Sequence, residues 1–265
     1  MPFLDRLLGR KAEDTAAAMD RAGALAAAGD YAGALAVWEP LARKGHARAR
    51  NNIGACFAEG LGVERDPALA HRWIGLAAEA RDPVAQRNLA SLYFRGEGVE
   101  QDDAEAAWRY RLGAENGDAP SQDMLSYMML EGVGLDQDLV GARQWAERAA
   151  AAGVASAMTR LGCIHNDATG TPRDPEKAVS WWRRAAARGD ADAQSFLGAA
   201  LLVGIGVPRD PVDALAWLLR AQNGGSLKAP AYLPTARGAV DADGMAEAER
   251  RAAAPLPGGR PGVAA

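Results

Sequence analysis

Hydrophobic and small residues return along this chain with a fixed period of 36 residues, from position 53 to position 89 and onward without insertion or deletion. An aliphatic residue followed directly by a small one marks each period, at Ile53, Leu89, Leu125, Leu161 and Leu197. A constant period of this size is typical of solenoid proteins, in which each unit buries an apolar face against its neighbours. The pattern therefore predicts stacked structural repeats.

The fifth period shows the elements that one repeat contains. Ala193, Leu197 and Leu201 are spaced by four residues and form one stripe of an α-helix, which ends at the glycines around position 205. Asp210 and Pro211 then provide an N-cap and a first helical residue. The second helix carries its apolar face at Ala214, Trp217, Leu218 and Ala221. Each repeat is therefore predicted to be a pair of antiparallel helices.

The ends of the chain keep this frame only in part. Residues 1–12 are predicted to be a separate segment, and residues 13–46 a degenerate pair with helices at 13–28 and 31–44 and a kink at Pro40. Five full repeats follow over 47–228. In the capping region 229–254, Pro230 and Pro234 disrupt the frame before a last helix at 241–254. Residues 255–265 are rich in Pro, Gly and Ala and are predicted to be a disordered tail. This arrangement gives six helical pairs and one capping helix.

The repeated positions follow the pattern A-x3-LG-x2-Y-x2-G-x-GV-x2-D-x3-A-x2-W-x3-AA-x2-G, which resembles the Sel1-like repeat, a relative of the tetratricopeptide repeat. The resemblance implies an all-α, right-handed α/α superhelical solenoid whose first helices line a concave face. It also implies an adaptor that binds proteins. Arg109 replaces the usual tryptophan and Thr171 the usual valine, so we expect the second and fourth repeats to pack less regularly.

Composition narrows the possible partners and compartments. The net charge is −4 at pH 7, so no basic field favours nucleic acid. Cys56 and Cys163 lie three repeats apart, too far for an internal disulfide, which fits a reducing compartment. No apolar run reaches the ~20 residues that span a bilayer, so the cytoplasm is the expected location. We expect no integral membrane segment, no cofactor and a protein or peptide partner. The oligomeric state stays open, with a monomer favoured.

The residues that could carry chemistry all have a structural explanation. His165 occupies a slot that holds Phe57, Tyr93, Met129 and Leu201 in the other repeats, so we expect a buried histidine with a hydrogen-bond partner. The recurring aspartates precede helices and are interpreted as N-caps. No histidine pair or Cys-x2-Cys has metal-ligand spacing. The chain is therefore predicted not to be an enzyme, to hold no metal and to act as a scaffold. The alternative is penicillin binding or β-lactam hydrolysis, as in a cysteine-rich branch of the family that has two cysteines in each repeat.

The binding surface is predicted by analogy with tetratricopeptide geometry, on the concave side of the first helices. There Arg87 and Arg95 could bind a carboxylate, and Phe94 and Tyr127 could anchor a partner side chain. A plain solvated inner face is the alternative. Near the C-terminal end, Leu202 and Val203 are expected to pack under the terminal segment. The predicted partner-binding residues are Asn51, Glu59, Arg87, Ser91, Phe94, Arg95, Asp123, Tyr127, Glu131, Thr159, Asn166, Asp167 and Ser195.

Overall fold

The computed structural model describes the backbone of residues 2–256 and the side chains of residues 15–256. These residues form fourteen α-helices and no strand, so the all-α prediction is confirmed. In chain order the helices are α1 (Pro2–Ala27), α2 (Tyr31–Arg43), α3 (Ala47–Glu59), α4 (Pro67–Ala78), α5 (Pro83–Arg95), α6 (Asp103–Glu115), α7 (Ala119–Glu131), α8 (Leu139–Ala151), α9 (Ala155–Asn166), α10 (Pro175–Ala186), α11 (Ala191–Val203), α12 (Pro211–Asn223), α13 (Ala229–Gly238) and α14 (Ala242–Ala253).

The chain divides into two compact units, Met1–Gln137 and Asp138–Ala265, each of which has its own hydrophobic core. In the first unit, Trp38 and Ile53 lie in one cluster of buried side chains and Ile74 and Leu89 in the next. In the second unit, one cluster extends from Ala146 to Ala248. The small residues predicted to allow close helix approach are fully buried, at Ala49, Ala85, Ser121, Ala157, Ala193 and Ala229.

N-terminal caps start most of the helices of the repeats. As predicted, Asp66, Asp102, Asp138, Asp174 and Asp210 each accept a hydrogen bond from the backbone N–H three residues further on. First helices are capped in the same way, by His46, Asp82, Asp118 and Asp190. One such cap contributes about 1 kcal/mol. The exception is α9, where Val154 stands at the cap position and offers no side-chain acceptor.

A second set of hydrogen bonds joins each repeat to the end of the preceding second helix. A side-chain nitrogen near the start of a first helix donates to the carbonyl oxygen eight residues earlier, and so satisfies a C-terminal helix carbonyl. The donors are Arg50, Gln86, Gln122 and Gln194, which bind the carbonyl oxygens of Ala42, Ala78, Ala114 and Ala186. This contact was not predicted from the sequence. Met158 stands at the equivalent position of the fourth repeat and has no such donor.

The loop glycines serve helix termination and close packing at once. Gly60, Gly96, Gly132 and Gly204 have positive φ and end the first helices, as glycine does at a left-handed C-cap. The second glycine of each loop also touches backbone: a Cβ at Gly98 would lie 2.0 Å from the carbonyl oxygen of Pro67. Two non-glycine residues occupy positive-φ positions where other repeats have glycine, Arg81 at +60° and Ala168 at +59°.

The two ends of the chain differ from the prediction. The first helix begins at Pro2 and not at residue 13, because proline is tolerated in the first turn of a helix. At the other end α13 continues through Pro234, and Pro230 lies in its first turn, where no helical N–H bond is lost. The described chain therefore ends in two helices, α13 and α14, that both pack against α12, where one capping helix was predicted. The predicted disordered tail falls on residues 255–265, of which 257–265 lie outside the described residues.

Candidate functional site

The candidate site is the outward side of the first helices of the repeats, here called the first-helix face. Because repeats stack in register, equivalent positions of successive first helices lie on one side of each unit. In Met1–Gln137 the exposed charged members are Glu59, Arg95 and Glu131, and Ser91, Phe94 and Tyr127 are half-buried. In Asp138–Ala265 the predicted members at the surface are Thr159, Asn166 and Asp167. Their role in binding remains a prediction.

Three of the predicted binding residues lie inside the protein. Asn51 is buried and accepts a hydrogen bond from the side chain of Asn88 at 2.9 Å. Ser195 is fully buried and its hydroxyl donates to Ser226 at 3.0 Å. Asp123 is also buried. These side chains cannot touch a partner while the helices are packed, so the proposed surface is narrower than the sequence suggested.

The two arginines expected to bind a partner carboxylate already have acidic neighbours. Nη1 of Arg87 lies 2.9 Å from Oδ1 of Asp118, the aspartate that caps α7, and the pair is largely shielded from solvent. Arg95 lies 3.1 Å from Glu97, and this pair is more exposed. An exposed ion pair contributes little to stability, so Arg95 can exchange its partner for another carboxylate at small cost. Arg87 instead supports the start of α7.

The half-buried polar side chains of this face form hydrogen bonds within single repeats. Burial raises the pKa of the Tyr110 hydroxyl, which is hydrogen-bonded to Ser91, so Ser91 is held against the second helix of its repeat. The hydroxyl of Thr159 donates to the carbonyl oxygen of Ala155 within α9. The side chain of Asn166 donates to Oδ1 of Asp167 at 2.7 Å, and Asp167 is exposed.

An apolar pocket lies at the first-helix face of Asp138–Ala265 and was missed from the sequence. It has a volume of about 280 Å³. Leu202 is buried, but Val203 at the pocket edge is exposed, so the expectation that both residues pack under the terminal segment is wrong for Val203. The sequence did contain a signal for this pocket, because the positions equivalent to Val203 in the other four repeats are charged. The pocket is lined by Asn166, Trp182, Phe196, Ala199, Ala200, Val203, Ile205 and Tyr232.

A second cavity, of about 500 Å³, lies on the second helices of Met1–Gln137. Here the guanidinium of Arg109 stacks on Trp108, 4.3 Å from the ring centroid, and its Nε donates to Glu105 at 2.7 Å. The second repeat thus keeps a tryptophan and an arginine side by side, but in the reverse order of Arg72 and Trp73 in the first repeat. The cavity carries charges of both signs, so its lining favours neither an anion nor a cation. Its charged lining residues are Glu79, Arg81, Arg109 and Glu115.

The titratable groups of the core have environments that disfavour charge. His165 is 3% exposed, and neither ring nitrogen has a hydrogen-bond partner within residues 15–256, contrary to the prediction. Burial lowers its pKa, and the nearby cation of Lys177 lowers it further. Burial likewise raises the pKa of the Cys163 thiol to about 11, with Asp167 adding to the effect. A thiol with this pKa is a poor nucleophile near neutral pH.

The described residues contain no metal-ligating cluster, no disulfide and no membrane-spanning helix. Within the described part of the chain, no cluster of three or more His, Cys, Asp or Glu side chains could hold a metal ion. Cys56 and Cys163 are both unpaired, so neither takes part in a bridge of the kind found in the cysteine-rich branch of the family. None of the helices among the described residues is long and apolar enough to cross a membrane.

The fold and the exposed first-helix face define a repeat protein built from helical pairs, a class in which the fold typically serves as a binding scaffold. The Sel1 repeat model matches five consecutive segments, at residues 47–82, 83–118, 119–154, 155–190 and 191–226. These segments cover more than half of the chain, and the chain belongs to the Sel1 repeat family. The resemblance found in the sequence is therefore confirmed.

Solved structures support the same assignment. A Sel1 repeat protein from Oxalobacter formigenes is 31% identical, with a TM-score of 0.71 over 80% of this chain and 87% of that one. The protein c5321, a protective antigen of uropathogenic Escherichia coli with an SLR fold, is 28% identical, with a TM-score of 0.77 over 94% of this chain. This match covers only 56% of c5321. The comparison with curated proteins gave no match.

Proposed function

We propose that this protein is a non-enzymatic scaffold that binds a protein or peptide partner on the first-helix face. The observation that supports the proposal is that each repeat has two sets of positions, one that maintains the fold and one that is exposed and variable. The repeated aspartates, glycines and small residues serve caps, loops and packing. The exposed positions of the first-helix face vary in charge between repeats, as Glu59, Arg95 and Glu131 do, and none of these three side chains lies in the core.

The proposed partner is a polypeptide whose charges complement the alternating charges of the first-helix face. Along Met1–Gln137 the outward position at the end of each first helix changes from acidic to basic and back to acidic, at Glu59, Arg95 and Glu131. Phe94 and Tyr127 are half-buried aromatic residues of the same face. A protein surface or an extended peptide with the opposite charge order complements this arrangement. We place the protein in a reducing compartment such as the cytoplasm, because both cysteines are unpaired.

Site-specific photo-cross-linking in the native host tests the proposal. A benzophenone amino acid replaces Arg95 on the first helix of the second repeat, or Arg111 on the second helix of the same repeat. Both side chains are exposed, so the positions are matched in accessibility. We expect discrete covalent adducts with another protein from position 95 and none from position 111. Equal adducts from both positions, or none from either, would contradict a partner on the first-helix face.

Charge reversal provides a second readout. Arg95→Glu removes the exposed ion pair with Glu97, which contributes little to stability, and is expected to abolish recovery of the cross-linked partner. Arg111→Glu is expected to leave recovery unchanged. Arg87 is unsuitable for this test because a glutamate there would face the capping carboxylate of Asp118 and weaken the fold. Unchanged recovery with Arg95→Glu would show that the partner does not use this part of the surface.

A further inference from the structure

The fifth repeat departs from the other four at the outward position that ends the first helix. That position carries a charge in the first four repeats, at Glu59, Arg95, Glu131 and Asp167, and is Val203 in the fifth. Val203 is 60% exposed, so the exchange did not place an apolar residue in the core. A single exposed valine is ordinary on a protein surface. The neighbours of Val203 decide whether it has a further meaning.

Together with these neighbours, Val203 forms an exposed apolar patch. Ile205 in the loop after α11 is 44% exposed, and Tyr232 on α13 is 37% exposed. Both line the same pocket of about 280 Å³ as Val203. Of the seven large hydrophobic side chains exposed within the described residues, three therefore surround one opening. Exposed apolar residues that cluster around a concavity mark binding sites more often than scattered ones do.

The inner wall of the pocket is aromatic, and its two rings are also specific to this end of the chain. Trp182 and Phe196 are stacked, with ring centroids 5.2 Å apart and an interplanar angle of 25°. Positions equivalent to Phe196 hold Asn52, Asn88, Met124 and Arg160. Positions equivalent to Trp182 hold Ile74, Tyr110, Ala146 and Leu218. The repeat pattern requires neither ring, so packing of the repeat alone does not account for an aromatic wall beside an open cavity.

The size of the pocket indicates one large side chain as the occupant. An apolar cavity of about 150 Å³ accommodates benzene. A pocket of about 280 Å³ has room for a bicyclic ring such as indole. An aromatic ring in this position can stack against Phe196, an arrangement that adds to the free energy of apolar burial.

The charge at the pocket edge indicates what lies beside that side chain. Asn166 lines the pocket and donates to Oδ1 of Asp167, which fixes an exposed carboxylate next to the opening. On the other side, Lys228 lies 5.5 Å from the ring centroid of Phe196, but its ammonium is 2.5 Å from Oδ2 of Asp192. The positive charge of Lys228 is thus matched locally, and the carboxylate of Asp167 favours a cation on the ligand.

We propose that this pocket binds an aromatic side chain of a partner polypeptide whose neighbouring residue is lysine or arginine, with the aromatic ring against Phe196 and the cation beside Asp167. The proposal rests on the proposed scaffold function and names the chemistry of one part of its surface. It differs from the charge recognition proposed for Met1–Gln137, because here an apolar anchor provides most of the binding free energy and the charge provides selectivity.

Titration of the full chain with three small probes tests this inference by methyl NMR at Val203 and Ile205. The probes are N-acetyl-Trp-Arg-amide, N-acetyl-Trp-Glu-amide and N-acetyl-Ala-Arg-amide. We expect saturable methyl shifts with the first probe, binding about threefold weaker with the second, and no shift with the third. The absence of shifts at millimolar Trp-Arg probe, or equal affinity for the Trp-Glu probe, would overturn the inference.

Variants separate the pocket from the rest of the surface. Val203→Glu introduces the residue that two other repeats carry and is expected to weaken the Trp-Arg probe about tenfold. Val140→Glu changes another exposed valine of the same unit, outside the pocket, and is expected to have no effect. Asp167→Asn is expected to remove the preference for Trp-Arg over Trp-Glu. Retention of binding in Val203→Glu would refute the assignment.

Two further outcomes are distinguishable. If the methyl signals shift with protein concentration alone and light scattering reports a dimer, a second copy of the chain occupies the pocket and the inference is wrong. If the probes fail while cross-links from position 95 persist, the pocket assignment is wrong and the scaffold function stands. Loss of both would refute the scaffold function as well.

Discussion

Replacement of His165 by leucine should make this protein more stable, although the substitution removes a buried polar side chain. The equivalent position of the next repeat is Leu201, which shows that leucine fits the slot. Both ring nitrogens of His165 are buried and have no hydrogen-bond partner within residues 15–256. A buried polar group without a partner costs about 1–3 kcal/mol. We therefore expect His165→Leu to raise the free energy of unfolding by about 1–2 kcal/mol at pH 7.

The difference in the free energy of unfolding between His165→Leu and the wild type should increase at acidic pH. Burial lowers the pKa of His165 below its ordinary value near 6.5, the cations of Lys177 and Arg143 lower it further, and Asp174 and Glu147 oppose them. The folded state thus binds its proton less tightly than the unfolded state does. Well above pH 6.5, His165 therefore adds no pH dependence to the free energy of unfolding. As the pH falls below that value, the free energy of unfolding decreases, with a slope of at most about 1.4 kcal/mol per pH unit.

Urea unfolding followed by circular dichroism between pH 5 and pH 8 measures both effects. The control is Met129→Leu, which places leucine in the equivalent buried slot of the third repeat without removing a titratable group. We expect the loss of stability below pH 6.5 to be smaller in His165→Leu than in the wild type and unchanged in Met129→Leu. If His165→Leu and the wild type lose stability in parallel, or if the leucine variant is less stable at pH 7, the reasoning about an unpartnered imidazole is refuted.

Three substitutions test other parts of the fold by the same unfolding assay. Ala168→Gly should raise stability by about 0.5–1 kcal/mol, because the left-handed backbone strains alanine more than the added chain entropy of glycine costs; a loss would contradict this. Gly206→Ala should lower stability by about 3 kcal/mol, since its Cβ would lie 2.2 Å from the carbonyl oxygen of Pro175; a neutral result would show that the loop can move. Arg87→Glu should lower stability by about 1–2 kcal/mol by placing a carboxylate against Asp118; a neutral result would show that this pair is dispensable.

The fold was largely predictable from the sequence because the same caps, loop glycines and apolar positions recur in each repeat. Five aspartates in register identify five N-caps, and the structure shows every one of them accepting its hydrogen bond. The ends were less predictable, since Pro230 and Pro234 predict a disrupted repeat frame and not a regular helix. Proline in the first turn of a helix loses no hydrogen bond, and packing against the neighbouring helices overrides the cost of a proline further on.

The candidate site was less predictable than the fold, because facing outward in one repeat does not ensure exposure. Asn51 and Ser195 occupy positions on the predicted concave side, yet both are buried. Asn51 is hydrogen-bonded to Asn88 on the next first helix, and Ser195 to Ser226 in the turn after α12. The pairing of Arg87 with Asp118 joins residues 31 positions apart, and Ser195 and Ser226 make the equivalent contact three repeats later, but the differing side chains conceal this shared contact in the sequence. The apolar pocket at Val203 did have a sequence signal, namely the loss of charge at a position that is charged in four other repeats.

The first helix of the fourth repeat combines several departures that each remove a stabilising contact. Val154 leaves α9 without a side-chain cap, and Met158 replaces the residue that in the other repeats donates to the preceding second helix. His165 is buried without a partner, and Ala168 has positive φ. The cap and the missing donor are worth about 1 kcal/mol each, and the two other departures have costs of similar size.

These losses lie within one helical segment, so they should lower its local opening free energy more than the global stability. We expect amide hydrogen exchange in α9 (Ala155–Asn166) to be about a hundredfold faster than in α11 (Ala191–Val203), which keeps its aspartate cap, its glutamine contact and its terminal glycine. A factor of one hundred corresponds to about 2.7 kcal/mol. Combining His165→Leu with Ala168→Gly should remove roughly half of that difference. Equal protection of the two helices would mean that the repeats open only together, and that departures within one repeat are shared by the whole unit.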